Sequence, residues 1–186
     1  MASGTFKVGD RVTAYPAGIE TTITGIHTYE GPQAESIPQL SYSITVGDEI
    51  DISRGGMLAK IGEAPCTTQE FDAMICWFSD KKHLKPKGRF HLRHTTSDVR
   101  AVVTDVLYKI NISTLEKTQE SEEFALNDIG CIRIRCAAPI FYDPYTKNRT
   151  TGSFVLVDEQ TNNTVAAGMI IRPLSGEPSE DAAFSI

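Results

Sequence analysis

Segments in which apolar and polar residues alternate constrain the fold of this 186-residue chain more than any other feature. A period of two puts the apolar side chains on one face of a β-strand. Turn dipeptides such as Gly9-Asp10 and Lys87-Gly88 separate these segments, and no long stretch has the period of an amphipathic helix. The pattern predicts an all-β fold of small antiparallel barrels or sandwiches. The clearest segments are Leu40–Val46, Phe71–Trp77 and Ile132–Cys136.

Residues 152 to 171 predict a β-hairpin. Gly152–Asp158 and Thr164–Ile171 are rich in β-branched and apolar residues, and the five residues between them, Glu-Gln-Thr-Asn-Asn, suit a turn. We therefore expect two antiparallel strands joined by residues 159–163.

The composition restricts the classes of protein to which the chain can belong. No apolar run approaches the ~18 residues of a membrane span, and the first residues do not form a signal peptide. A net charge of −6 argues against general binding to nucleic acid, which needs a basic surface. We expect a cytoplasmic protein that binds neither membrane nor nucleic acid.

A Gly/Pro-bearing linker, Ile61-Gly-Glu-Ala-Pro-Cys66, separates two groups of strand segments. It predicts one domain over residues 1–63 and a second over residues 64–172. The polar remainder, 173–186, has no periodic apolar positions and predicts a mobile tail.

No cluster of side chains predicts a catalytic, cofactor or metal site. His91 and His94 fall on opposite faces of one strand, and an acidic cluster, Asp48, Glu49 and Asp51, lacks the spacing of a calcium loop. We interpret these residues as structural or solvated.

The four cysteines have no zinc-site or disulfide spacing, and they are predicted to be buried free thiols, with Cys131 and Cys136 on opposite faces of a strand.

A basic segment runs from Lys81 to Arg100, with seven Lys or Arg residues and one acidic residue, Asp98, in a chain that is acidic overall. Two interpretations remain open. The segment is either a solvated surface or an interface for an acidic partner, with Lys85, Arg89 and Arg93 as candidate contacts.

Short sequence motifs in the second half of the chain resemble the last barrel of the GTPase subunit of bacterial sulfate adenylyltransferase. They are Asp143-Pro144-Tyr145, Asn148-Arg149, Thr151-Gly152 and Ala166-Ala167-Gly168. The phrase Lys7-Val8-Gly9-Asp10 is similar to domain 2 of translation-type GTPases, and the narrower wording Gly47–Gly55, Arg93–Thr96 and Arg100–Val103 is similar to the sulfate adenylyltransferase branch. This resemblance implies two antiparallel β-barrels of the translation-GTPase domain 2 and domain 3 type.

No Gly-x-x-x-x-Gly-Lys-Ser/Thr phosphate loop occurs in the sequence. Compared with the family, the chain is expected to be a C-terminal piece. It would lack the G domain, the first strand of the first barrel and the adenylylsulfate kinase domain that some relatives carry. GTP and Mg²⁺ are then expected in the G domain, and none in this piece.

The resemblance implies that the complete protein hydrolyses GTP and couples this to synthesis of adenosine 5′-phosphosulfate and pyrophosphate from ATP and sulfate. Adenylyl transfer would occur on a separate small subunit. The present chain would supply no catalytic residue and would act as a coupling and docking module whose partners are the small subunit and its own G domain.

Two other interpretations come from different classes. The chain could be domains 2 and 3 of an elongation factor that binds aminoacyl-tRNA, although its acidity and the wording around Asp143 and Asn148 count against this. It could also be an isolated binding module, although a missing first strand would leave a barrel edge open.

Overall fold

The computed structural model describes residues 1–119 and 123–173, and in that part of the chain all regular elements are antiparallel β-strands, with no helix. Two compact units divide the chain, Met1–Cys66 and Thr67–Ile186. The domain limits expected from the sequence, 1–63 and 64–172, stay a prediction. Pro173 ends the last strand, and the rest of the predicted tail, 174–186, lies outside the described residues.

The first unit contains five short strands: β1 (Arg11–Tyr15), β2 (Ile19–Thr28), β3 (Gly31–Pro32), β4 (Ser43–Val46) and β5 (Met57–Lys60). They pair in the order β3-β2-β1-β5, and β4 also pairs with β2. The small core consists of Phe6, Val12, Ile23 and Ile26. Leu40 was expected to share a strand face with Ile44, but it precedes β4 and is half exposed, so this part of the pattern was wrong.

In the described residues the second unit contains seven strands: β6 (Cys66–Trp77), β7 (Arg89–His94), β8 (Ser97–Ile110), β9 (Lys117–Thr118), β10 (Ile129–Tyr142), β11 (Ser153–Asp158) and β12 (Thr164–Pro173). The strands pair in the order β10-β6-β12-β11-β7-β8, and β10 pairs again with β8. This ring is a closed six-stranded barrel, with β9 added beside β8. Closure leaves no free edge in the ring.

The barrel interior contains the inward residues that the alternation predicted. Phe71, Ala73, Ile75 and Trp77 are all at most 2% exposed, and Ile132 and Ile134 are fully buried. Trp77 meets Phe90 edge to face at 5.7 Å between ring centroids, a favourable aromatic arrangement. The predicted all-β fold is confirmed.

The predicted hairpin is also confirmed as β11 and β12, which pair from Ser153 opposite Met169 to Val157 opposite Thr164. Asp158 organises its turn. The carboxylate accepts hydrogen bonds from the backbone N–H groups of Gln160 and Thr161, both at 3.0 Å, and from the Thr161 hydroxyl at 3.1 Å.

Candidate partner interface

The three candidate contacts lie on or just before β7, on the outside of the barrel. Arg89 and Arg93 are exposed on the same face of β7, about 13 Å apart for four residues of strand. Lys85 precedes the strand and is also exposed. The structure therefore brings the two arginines onto one face, with Lys85 in the segment that leads into it.

Two of these three cations already have a carboxylate partner. Lys85 Nζ lies 2.7 Å from Glu123 Oε1, and Arg93 Nε donates to Asp98 Oδ2 at 2.9 Å. Hydrogen bonds from His91 and Arg93 lower the pKa of Asp98. No ion pair involves Arg89 among the residues that the structure describes. Its charge is the one most available to a partner.

Lys82, another member of the basic segment, has a structural position. It forms an ion pair with the buried carboxylate of Asp158 and lies 5.4 Å from the centroid of the Phe90 ring. The hydrogen bond from Lys82 is the main reason that the pKa of Asp158 falls to about 2. The basic segment is therefore not uniformly a solvated surface.

The two histidines on β7 point to opposite faces, as predicted. His94 is 1% exposed and donates from Nε2 to the backbone carbonyl of Thr151 at 2.6 Å, and burial lowers its pKa. His91 is on the outside, 2.8 Å from Asp98. Within residues 1–119 and 123–173, no group of three His, Cys, Asp or Glu side chains could hold a metal ion.

The loop from Asp143 to Gly152, which carries the family wording, is a well-bonded turn. Asn148 Oδ1 accepts from the backbone N–H groups of Thr150 at 3.0 Å and Thr151 at 3.3 Å, and Asp143 accepts from the Thr151 hydroxyl at 2.9 Å. A Cβ at Gly152 would lie 2.4 Å from the Cα of Tyr145, so a side chain there would collide with the backbone. Glycine is required at this close approach.

Beside this loop the barrel has an open depression of ≈ 530 Å³, called here the outer groove. Its outward-facing lining comes from five strands, β6, β7, β10, β11 and β12, and from the loop. Sequence reasoning missed it, although half-exposed methionines at outward strand positions were a usable signal. The residues that define the outer groove are Met74, Cys76, Tyr145, Val155, Ala167 and Met169.

The four cysteines are free thiols, as predicted, but two of them are not buried. Cys76 is only half-buried. Cys66 is exposed, because it stands at the very start of β6 before the strand enters the barrel. Cys136 belongs to the core, whereas Cys131 is buried on the opposite side of β10 near Tyr108, as expected. Burial raises the pKa of Cys131 to about 11 and that of Cys136 to about 12.

The acidic cluster is a solvated turn, as predicted: Asp48, Glu49 and Asp51 are all exposed.

Two antiparallel β units, one of them a closed six-stranded barrel, are the architecture of the barrel domains of translation GTPases. Crystal structures of Sup35 complexed with GMPPNP and with GDP match the chain with TM-scores of 0.82 and 0.81 at 19% and 20% identity. Each match covers 93% of this chain and 42% of the Sup35 chain, and it establishes the fold.

The chain belongs to the GTP-eEF1A C-terminal domain-like family, which it matches over residues 70–171. Along nearly its whole length it is similar to two kinds of curated protein. It is 42% identical over 175 residues to the bifunctional enzyme CysN/CysC of Mycobacterium tuberculosis H37Rv, covering 94% of this chain and 28% of that enzyme. It is 37% identical over 188 residues to sulfate adenylyltransferase subunit 1 of Pseudoalteromonas atlantica, covering all of this chain and 40% of that subunit.

The predicted resemblance to sulfate adenylyltransferase subunit 1 is thus confirmed. The chain spans less than half the length of these relatives.

Proposed function

We propose that this chain is the β-barrel region of a sulfate adenylyltransferase subunit 1, acting in the cytoplasm as a coupling and docking module. The observation that carries the proposal is identity of 35–42% to CysN/CysC and subunit 1 proteins along at least 92% of the chain. The complete protein would couple GTP hydrolysis, on a G domain that binds GTP and Mg²⁺, to synthesis of adenosine 5′-phosphosulfate from ATP and sulfate.

The chain's part in this reaction would be mechanical. Closed barrels are stiff, so they move as rigid bodies and can pass the nucleotide state of a G domain to a partner by reorientation. The partner would be the small adenylyl-transferring subunit, which we call the companion subunit. Arg89 and Arg93 on β7, with Lys85 before it, would meet an acidic surface of that subunit, where complementary charge speeds encounter and sets orientation.

The experiment is a binding titration of purified companion subunit by surface plasmon resonance at two salt concentrations. In the test variant, Lys85, Arg89 and Arg93 are each replaced by glutamate. We expect weaker binding and a smaller salt dependence, because three attractive charges become repulsive.

A matched control replaces Lys7, Arg11 and Arg54 by glutamate, which changes the net charge equally. Lys7 and Arg11 are in exposed ion pairs with Glu35 and Glu20, just as Lys85 and Arg93 are paired on the barrel. If the test variant binds the companion subunit normally, these three residues do not form the interface and the basic segment is a solvated surface.

Transfer-RNA binding is the competing function. It rests on the family match over residues 70–171 and on the fold shared with Sup35 at 19–20% identity, and not on the relatives at 35–42% identity. A filter-binding assay with aminoacyl-tRNA separates the two proposals, because saturable binding at physiological salt would favour the elongation-factor function.

We expect calorimetry to detect no GTP binding to this chain, since the sequence contains no phosphate loop.

A further inference from the structure

The outer groove is an apolar surface assembled from neighbouring strands of the barrel. Met74 on β6 lies opposite Met169 on β12, and Met169 in turn lies opposite Ser153 on β11. One step along the strands, Ala167 lies opposite Val155. These outward side chains are only half-buried. Methionine is flexible and polarizable, so a groove floored by two methionines can adapt to an inserted side chain.

At the other end of the same strands, the outer surface consists of charged side chains that form ion pairs with one another. Further along β6, the carboxylate of Asp72 is 1% exposed and lies between Arg133 on β10 and Arg172 on β12, with Nε to carboxylate distances of 2.9 and 3.1 Å. Glu70 is paired with Arg135 in the same way. The charged side chains at the Asp72 end are therefore paired with one another, whereas the groove end exposes apolar atoms to solvent.

One wall of the groove is the loop Asp143–Gly152, and it is anchored to the barrel on two sides. The backbone N–H of Tyr145 donates to the carbonyl of Ile170 at 3.2 Å, and His94 binds the carbonyl of Thr151. The side chain of Tyr145 lines the groove. Because the wall is held by these bonds before any ligand arrives, little ordering entropy has to be lost on binding.

The opposite rim of the groove is basic. Arg93 lines the groove and lies opposite Val155 on β11 and Asp98 on β8. Arg100 on β8 lies opposite His91 on β7, and Arg89 lies four residues before Arg93 on β7. Arg93, which is paired with Asp98, is the cation of the groove lining, and Arg89 and Arg100 continue the cationic surface beyond the groove. An apolar floor with a cationic rim fits a protein segment that presents an apolar side chain flanked by carboxylates.

The geometry points to the outer groove as the docking site on this chain for the companion subunit. The occupant is a segment of that subunit with an apolar anchor residue between acidic residues. The anchor packs on Met74 and Met169 against the wall at Tyr145. One flanking carboxylate meets Arg93 at the rim, and another reaches Arg89 further along β7. This inference rests on the proposed function, because that function supplies the partner. It extends that function by placing the centre of the contact at the apolar groove, whereas the proposed function named only the basic residues of and before β7.

The first test is a titration of purified companion subunit against Met169→Glu. A carboxylate on the groove floor cannot pack against an apolar anchor and repels its acidic flanks, so we expect the Kd to rise by about 30-fold or more, as at other buried anchor positions. The control is Ile112→Glu, which makes the same kind of change at a side chain 69% exposed in the loop between β8 and β9. Its Kd should stay within about twofold of the parent value, as for surface positions outside a contact.

The second test leaves the groove intact and needs only a substitution at Cys66, which is exposed. Cys76 is in the groove, and Cys131 and Cys136 are buried, so Cys66→Ser leaves Cys76 as the most accessible thiol. Its alkylation by iodoacetamide, followed by mass spectrometry, should slow at least about fivefold with saturating companion subunit, since a seated anchor excludes the reagent. Serum albumin at the same concentration should have no effect.

The outcomes separate the two proposals. If the parent chain does not bind the companion subunit, the proposed function fails and the docking site with it. If the parent chain binds, but Met169→Glu binds equally well and Cys76 is alkylated at the same rate in the complex, the docking site is overturned and the proposed function remains.

Discussion

At the level of single residues, packing explains why the motif Ala166-Ala167-Gly168 ends in glycine. A Cβ built on Gly168 would lie 2.3 Å from Cζ of Phe154, far inside van der Waals contact. Phe154 is 4% exposed and meets Phe71 edge to face at 5.7 Å between ring centroids. The missing side chain on β12 is what leaves room for the end of the Phe154 ring.

Gly168→Ala should therefore destabilise the barrel by about 1–3 kcal/mol through overpacking. Urea denaturation followed by the fluorescence of Trp77, the single tryptophan, measures the change. In the double variant with Phe154→Leu, the smaller side chain makes room for the new methyl group. The two losses should then sum to more than the loss in the double variant, and strict additivity would contradict the explanation.

Asp158 is the residue whose protonation should most affect stability in acid. Its folded pKa of about 2 lies below the usual carboxyl value of 3.8, because Lys82 and the turn N–H groups bind the charged form. A lowered folded pKa means that the unfolded state binds more protons in this range. Its contribution to stability is therefore complete above about pH 4 and is lost as the pH falls towards about 2.

We expect Asp158→Asn to cost roughly 1–3 kcal/mol at pH 7, since the variant loses a charged hydrogen bond to Lys82. The stability difference between parent and variant should shrink as the pH falls from about 4 to about 2. Urea titrations at several pH values measure it, and a difference that stays constant down to pH 2 would rule out this role.

At the scale of elements, the strands β10, β6 and β12 are held together on their outer side by one carboxylate. Asp72 sits on the central strand and binds Arg133 on one neighbour and Arg172 on the other. The side chain of Asp72 is 2% exposed, in contrast to that of Glu70, which is 27% exposed and pairs with Arg135. Burial is what should make the Asp72 pairing worth more than the Glu70 pairing.

Asp72→Asn should destabilise the barrel by about 1–3 kcal/mol, because it leaves two arginines without the charge that they bind. The matched change Glu70→Gln should cost less than about 1 kcal/mol, as is usual for ion pairs near the surface. Thermal unfolding of the two variants side by side compares them. Equal losses would show that burial does not control these pairs.

At the scale of the whole molecule, the two units differ in how much apolar surface they bury. In the part of the chain that the structure describes, the second unit is a closed ring around twenty buried core residues, whereas the buried cluster of the first has four. Hydrophobic burial is the dominant favourable term in folding, so the first unit should be the less stable of the two.

Denaturation should accordingly show two transitions. Trp77 is buried in the second unit, so its fluorescence reports that barrel alone, while the far-ultraviolet circular dichroism signal reports both units. We expect circular dichroism to begin changing at lower urea than fluorescence. A single transition that coincides for both signals would contradict independent unfolding of the two units.

No helix in the described part of the chain is long and apolar enough to cross a membrane.

The sequence alone was sufficient for the strand faces of the second unit, the β11–β12 hairpin and the family, because each depends on local information. Side-chain alternation follows from strand geometry at any position, so Phe71 and Trp77 could be assigned to the core from their spacing. The turn residues between β11 and β12 act within a few residues of one another. The sequence motifs around Asp143 and Gly152 can be matched to relatives without any three-dimensional information.

The outer groove and the ion pairs of the basic segment could not be predicted without the three-dimensional structure. The groove joins Met74, Arg93, Val155 and Met169, which are far apart in the sequence and meet through the register of long-range strand pairs. Likewise, Lys85 forms an ion pair with Glu123, which is brought near it by the bridge between Leu84 and Phe124. A one-residue shift in register would turn each strand's side chains to the other face, so pairing, which no local pattern specifies, determines which residues form a surface.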